Sequence, residues 1–341
     1  MNGKGLSGHM RKEVGVMIPS AKEVEQAREL LWRYFRPTRL VSAESLAQRS
    51  CGRVHLKIES DLPTGSFKPR GALNALLRTG AQCPVPGVVA ASTGNHGAAV
   101  AYAARIAKVS ATIFLPENPN PVKHARIVAL GAKVVERGTM GGSAASESAA
   151  EFARDHGHYF LDDASDPLVP AGTATIAAEI FDEIPKPNVI FVPMGDTALI
   201  RGVAAEAKRR HSGIRIIGVQ AEQAPAYVRS WQQGRVVHTD ACDTIADGLA
   251  SLHPLDANVI AIRELVDEVR LVSESELLDA IRILLIDEHV VAEAAGAAAT
   301  AAFLQDPSAY ADASIVLLVT GANVSPEVLR RAITWDFDAA V

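Results

Sequence analysis

Cysteine is scarce. Cys51, Cys83 and Cys242 are the only three among 341 residues, they lie far apart, and no CxxC pair occurs. An odd, dispersed set supports neither a disulfide framework nor a zinc cluster, so a reducing, cytoplasmic setting is expected. Charge of one sign is also lacking: 34 basic against 39 acidic residues leave a net charge of −5, with no block of like charges. Nucleic acid and anionic membrane are therefore not expected partners. Long hydrophobic runs are missing as well. The first twelve residues (MNGKGLSGHMRK) lack the apolar stretch of a secretory signal, and residues 1–16 read as a flexible extension. The most apolar segment, Val290–Leu304, is Ala-rich, carries Glu293 and falls short of the roughly 18 residues of a membrane span. A soluble chain is expected. What the sequence does hold is core material, 48% hydrophobic residues, over a length that suggests two domains at about 150 residues each.

Ser20-Ala-Lys-Glu23 reads as a capping box opening a helix that runs to about Phe35 and stops before Pro37. From Val54–Ile58 onward the pattern is regular. Short β-rich runs (Gly87–Ala91, Ala111–Leu115, Lys133–Glu136, Val189–Val192, Ile214–Val219, Ile315–Val319) alternate with Ala-rich helical stretches. Such alternation predicts α/β architecture with parallel sheet covered on both faces. In open α/β sheets ligands bind where strand carboxyl ends meet helix starts, so the loops after these strands are where chemistry is sought.

Two loops carry the first signals. In Glu59–Gly71 (ESDLPTGSFKPRG), Pro69 suits the first helical position and is expected to hold Lys68 extended. A lysine at the sheet end beside Phe67 can lose solvation and serve as a nucleophilic amine, as Schiff-base formation with an aldehyde requires. Taken alone, a solvated lysine at a helix start is the commoner arrangement. In Ala91–Gly97 (ASTGNHG), successive amides at a helix start suit a carboxylate, and Asn95 offers a neutral donor for a phenolic oxygen. A dinucleotide turn is the rival reading, with Glu117 20 residues beyond Gly97, but the GxGxxG spacing is absent. His96 reads as a packed or capping histidine rather than a general base.

Ser66-Phe-Lys-Pro-Arg-Gly-Ala72 together with Ser92-Thr-Gly-Asn-His-Gly97 resembles the fold-type-II pyridoxal-phosphate enzymes, and more narrowly their serine/threonine dehydratase and serine racemase branch. The resemblance continues in order through 172–179 (GTATIAAE), 218–222 (GVQAE), 244–248 (TIADG), 293–296 (EAAG) and 320–323 (TGAN). It implies two open, twisted, mostly parallel sheets flanked by helices, as in tryptophan synthase β. A large cofactor-binding domain would comprise residues 17–85 and 163–341, and a small mobile one residues 86–162. It further implies pyridoxal 5'-phosphate as cofactor, a small amino acid as substrate, and a homodimer. Lys68 would form the Schiff base and remove the substrate α-proton. Phe67 would pack beside the cofactor, and Asn95 would donate to its phenolic oxygen. Ser92, Thr93, Gly94, Asn95 and His96 would hold the substrate carboxylate, and Gly248 would also touch the cofactor. Thr320 would face the pyridine nitrogen. A hydroxyl there cannot hold a pyridinium as a charged pair, so the ring is a weaker electron sink and early loss of a β-substituent is favoured. The expected reaction is dehydration of a β-hydroxy amino acid such as L-threonine or L-serine to a 2-oxo acid and ammonia. The competing expectations are a lyase or β-replacement enzyme acting on an unusual amino acid, and a cofactor-binding protein without turnover.

The sequence departs from the family pattern at several places. The phosphate loop, normally four glycines, here reads Gly195-Asp196-Thr197-Ala198-Leu199 after Val192-Pro-Met194. Asp196 sets an acid near a dianion unless it points away or pairs with Arg201 or a cation, and Thr197 and Ala198 narrow the backbone freedom of glycine. Gln220 and Ala226 occupy positions where relatives place metal-binding carboxylates, so no metal site of that kind is expected. Thr93 stands where racemases carry serine, and its methyl restricts the hydroxyl, so racemisation is expected to be at most a side activity. The chain ends soon after the Thr320 motif, so the regulatory domain of biosynthetic threonine dehydratases is not expected.

Overall fold

A computed structural model describes residues 17–92, 94–138 and 143–334. In chain order its strands are β1 (Leu40–Ser42), β2 (Arg53–Ile58), β3 (Gly87–Ala91), β4 (Ser110–Leu115), β5 (Lys133–Glu136), β6 (Tyr159–Phe160), β7 (Val189–Pro193), β8 (Arg215–Ala221), β9 (Glu268–Val272) and β10 (Ser314–Val319). They form a six-stranded sheet in the order β1-β2-β10-β7-β8-β9 and a four-stranded sheet in the order β5-β4-β3-β6. Every pairing among these strands is parallel except β1 with β2. The α/β class with two mostly parallel sheets is thus as expected.

The central strands β7 and β10 are buried along their whole length, which is why they read as unbroken apolar runs rather than alternating ones. One face of the large sheet packs on the helices Glu274–Ile286 and Ala294–Leu304, the other on Val169–Glu183 and Ala198–Arg210. The small sheet packs on the helices Pro69–Gln82 and Asn95–Ala107. The Ser20–Glu23 capping box forms as read, with the Ser20 amide donating to Glu23 Oε2 at 2.8 Å. Its helix ends at Leu31, ahead of the expected Phe35, and looser turns carry the chain to Pro37. Three strands were not read from the sequence: β1, three residues long; β6, two; and β9, a half-exposed edge strand whose Glu268 and Arg270 disguise it.

Beneath the start of the helix Pro69–Gln82 lies a buried charge network. Arg70, 1% exposed, donates from Nε to Glu59 Oε2 at 2.7 Å and from Nη1 to Glu179 Oε1 at 2.6 Å. Lys57 reaches Glu179 Oε2 at 2.6 Å. Two cations and two carboxylates balance, and Thr38 caps the set through Glu59 at 2.6 Å. The network fixes the backbone two residues beyond Lys68.

Candidate active site

The loops at the carboxyl ends of β2, β3, β6, β7 and β10 meet around one cavity of about 330 Å³. Its wall includes Phe67, Lys68, Ser92, Asn95, His96, Gly195, Asp196, Thr197, Ala198, Leu199, Gly248 and Thr320, so the structure brings together nearly all the residues singled out in the sequence. Gly94 sits beside them as the cap of the helix Asn95–Ala107. Thr93 lies outside the described residues.

Lys68 is where the local expectation fails. Its backbone is helical (φ −54°, ψ −32°), not extended, because it serves as the cap of the helix that Pro69 opens. The side chain still reaches the cavity and is only 16% exposed. Its Nζ lies 5.0 Å from the Phe67 ring centre and donates to Asp163 Oδ2. Asp163 was not anticipated. It follows β6, and the two-residue strand gave too little signal to mark its loop, although the strand-end rule applies there as elsewhere. Burial would push the Asp163 carboxyl up, but adjacent Lys68 and His96 outweigh it and hold it below the usual carboxylate range.

On the asparagine loop, Ser92 Oγ accepts from the amides of Gly94 at 2.8 Å and Gly97 at 2.9 Å. The Ser92 hydroxyl therefore shapes the helix start while its own O–H can still donate, and the Gly94 amide is directed at Ser92. The start of this helix still presents the amides of Asn95 and His96. Asn95 accepts from Asn323 Nδ2 at 2.8 Å and donates to Glu293, which fixes the orientation of its amide. His96 is buried as expected, with Nε2 2.9 Å from the Leu161 carbonyl.

The phosphate-loop expectation meets a helix N-terminus, that of Ala198–Arg210, at the end of β7. Thr197 adopts φ 68°, the left-handed conformation that glycine takes freely and a β-branched residue rarely does. Gly195 is obligatory for another reason: a Cβ there would stand 2.5 Å from the Gly248 carbonyl oxygen. Arg201 does not pair with Asp196. It donates to Thr197 Oγ1 at 3.1 Å and to the Ala164 carbonyl at 2.9 Å, bracing the loop from behind, and burial lowers its pKa to about 10. Desolvation and then Asp163 push the Asp196 carboxyl up, opposed by Lys68 and a hydrogen bond with Ser251. Thr320 is buried with its hydroxyl 3.4 Å from the Ala295 carbonyl, and its own carbonyl accepts from the Phe67 amide at 3.0 Å, tying the β10 end to the lysine loop. Gln220 Oε1 accepts from the Val228 amide at 3.0 Å, so it serves the fold of its own loop.

Lys123 also escaped notice, since it sits in a polar-looking helix, Pro121–Ala129. It is 1% exposed, and its Nζ lies 2.6 Å from Asp247 Oδ1 and 2.9 Å from Glu293 Oε2. Both carboxylates belong to residues of the cavity wall.

An amine at a sheet end, two helix N-termini and a ring-sized cavity define a lysine-centred α/β enzyme. The family described as "Pyridoxal-phosphate dependent enzyme" matches residues 31–321, and the chain belongs to that family. Pyridoxal 5'-phosphate is its cofactor, and the cavity suits it: an amine for the aldehyde, a helix start braced by Arg201 for the phosphate, and the Thr320 hydroxyl for the ring. Among curated relatives, the chain is 34% identical to the L-threonine ammonia-lyase of Thermotoga maritima over 92% of its own length and 77% of that protein's. It is also 34% identical to the catabolic L-threonine dehydratase TdcB of Staphylococcus aureus over 90% of both chains. Among solved structures it resembles maize serine racemase (TM-score 0.86, 27% identity, 93% and 97% covered). It also resembles a threonine deaminase from T.th. (TM-score 0.83, 33% identity, 89% and 98% covered). These relationships make the protein a lyase. Among the described residues no helix is long and apolar enough to cross a membrane.

Proposed function

We propose that this enzyme dehydrates a small β-hydroxy amino acid, L-threonine or L-serine, to a 2-oxo acid and ammonia. The observation that carries the reading is the placement of Lys68 Nζ in one cavity with Asn95, Thr320 and the Gly195–Leu199 helix start. The bound cofactor supplies an aldehyde for Schiff-base formation and a ring that withdraws electrons from the substrate α-carbon. Lys68 Nζ takes the α-proton. Phe67 and Gly248 border the ring, and Asn95 fixes its phenolic oxygen. Amides of Gly195, Asp196, Thr197, Ala198 and Leu199 hold the phosphate. Ser92, Thr93, Gly94, Asn95 and His96 form the loop that receives the substrate carboxylate, the amides of Asn95 and His96 doing the donating. The Thr320 hydroxyl would leave the pyridine nitrogen without a charged partner, so the ring would supply a weaker electron sink, which suits β-elimination.

Residues 86–162, which carry the small sheet, form a domain that closes on residues 17–85 and 163–341 and excludes water, strengthening electrostatic contacts in the cleft. A cytoplasmic homodimer fits the cysteine usage and the family. A second reading, elimination or β-replacement on a less common amino acid, draws on Asp196, an acid in the phosphate loop. Purified protein tests the proposal: a visible Schiff-base band, bleached by borohydride and missing in Lys68→Ala, with ammonia and 2-oxo acid released from L-threonine or L-serine. Release from other β-substituted amino acids alone supports the second reading, and no product from any of them overturns both.

A further inference from the structure

Lys68 does not stand alone in the cavity. Its Nζ is hydrogen-bonded to Asp163 Oδ2, and the other oxygen of that carboxyl, Oδ1, faces His96 Nδ1 at 3.5 Å. His96 Nε2 lies 2.9 Å from the Leu161 carbonyl, which can only accept, so Nε2 donates to it. His96 Nδ1 is buried and without a hydrogen-bond partner among the described residues. A carboxylate oxygen and an imidazole lone pair aimed at each other repel unless a proton comes between them. The Lys68–Asp163–His96 chain thus has one place for a further proton, the gap between Asp163 Oδ1 and His96 Nδ1, with Asp163 itself ionised at rest. The carboxyl is 7% exposed and lines the cavity, so a proton placed there is delivered to something inside the cavity rather than to bulk water.

We propose that Asp163 is the second acid–base residue of this site, carrying the α-proton from Lys68 to the departing β-oxygen of the substrate. The proposal rests on the dehydratase reading above and adds the group that makes hydroxide leave as water. The Cα–H bond breaks with its proton going to Lys68 Nζ. The electron pair left on Cα becomes the Cα–Cβ double bond as the Cβ–O bond breaks, and the oxygen departs with that bond's electrons. Asp163 takes the proton from the Lys68 ammonium and gives it to the departing oxygen, forming water. Lys68 ends as a neutral amine and Asp163 as a carboxylate, as both began. His96 is a positioning residue: its Nδ1 holds Oδ1 and stabilises the protonated carboxyl. Besides Lys68 and His96, the charged groups that face Asp163 are Arg201 and Asp196.

The test separates leaving groups that need a proton from those that do not. With L-serine the leaving group is hydroxide; with β-chloro-L-alanine it is chloride, which departs unprotonated. In the holoenzyme, Asp163→Asn is expected to lower kcat for L-serine by roughly 10²- to 10⁴-fold, the usual contribution of a general acid or base. For β-chloro-L-alanine the expected loss is less than about tenfold. Asp163→Glu restores part of the L-serine rate. Without substrate, the visible Schiff-base band of Asp163→Asn titrates at lower pH than in the wild type, because the charge that favours the protonated nitrogen is gone. Retention of that band shows the variant folded and loaded. Equal losses on the two substrates, or a band whose titration does not move, overturn the proposal. If the wild type yields no 2-oxo acid from either substrate, the dehydratase reading fails instead, and the band titration still reports on Asp163 and Lys68.

Discussion

A carboxyl in a phosphate loop is an electrostatic liability, and Asp196 shows how one residue sets a pH dependence. Desolvation and the neighbouring Asp163 hold it above the usual carboxylate range, so over part of the acidic range it is neutral. As pH rises through its folded pKa it becomes an anion beside the site proposed for a dianionic phosphate. Cofactor affinity is therefore expected to fall with rising pH. Asp196→Asn removes the charge, so it should tighten cofactor binding at pH 8 by about tenfold, worth about 1.4 kcal/mol, and flatten the fall that accompanies ionisation of the carboxyl. Titration of apoenzyme with pyridoxal 5'-phosphate, followed by absorbance, checks both. Weaker binding in the variant would mean that the carboxyl, through Ser251, shapes the loop more than its charge opposes the phosphate.

At the scale of elements, the lysine loop is held in place by a close helix contact. The helices Pro69–Gln82 and Val169–Glu183 touch at Gly172, where a Cβ would stand 2.2 Å from the Arg70 carbonyl oxygen. In an open helix Gly→Ala gains about 1 kcal/mol of helix propensity, whereas overpacking usually costs about 1–3 kcal/mol. Here the obstacle is backbone, which cannot rotate away, and the charge network pins Arg70, so the cost wins. Gly172→Ala is expected to destabilise the protein by about 2 kcal/mol net, read as a lower urea midpoint at unchanged m-value. It should also impair Lys68, two residues from the displaced carbonyl; a higher midpoint would refute the argument. The same contrast explains what the sequence made legible. Fully buried parallel strands announce themselves, and so do loops with a glycine or proline signature, such as 66–72 and 92–97. A two-residue strand carries no periodicity, which hid Asp163. Lys123 lies in PVKHARIV, a pattern that reads as a solvated helix face; only the tertiary fold brings Asp247 and Glu293 to it. The helical backbone of Lys68 was misjudged because proline's restriction of the preceding residue is a tendency that a helix cap overrides.

At the scale of the whole molecule, Lys123 joins elements of the two sheets. Lys123 belongs to the helix after β4 of the small sheet, whereas Asp247 and Glu293 precede β9 and β10 of the large one. Its aliphatic stem packs against the asparagine loop so closely that a Cβ on Gly94 would meet Lys123 Cδ at 2.3 Å. Burial alone would lower the pKa of Lys123, but Glu293 and Asp247 outweigh it and raise it, so the bridge stays charged throughout the physiological range. Removing one partner from a buried ion pair costs about 3–5 kcal/mol, because the other partner is left uncompensated. Lys123→Met keeps the stem and deletes the charge, leaving two carboxylates on the cavity wall. The expected loss at pH 7 is about 3 kcal/mol. Because the folded pKa of Lys123 is raised, its contribution is fully present at neutral pH and fades only as pH rises past the ordinary lysine value. Urea unfolding at pH 7 measures it. If the bridge also couples the proposed closure of residues 86–162 to the substrate loop, KM rises by tenfold or more while the Schiff-base band of the loaded enzyme persists. Unchanged stability together with unchanged KM would show that Lys123 is a spectator to both folding and closure.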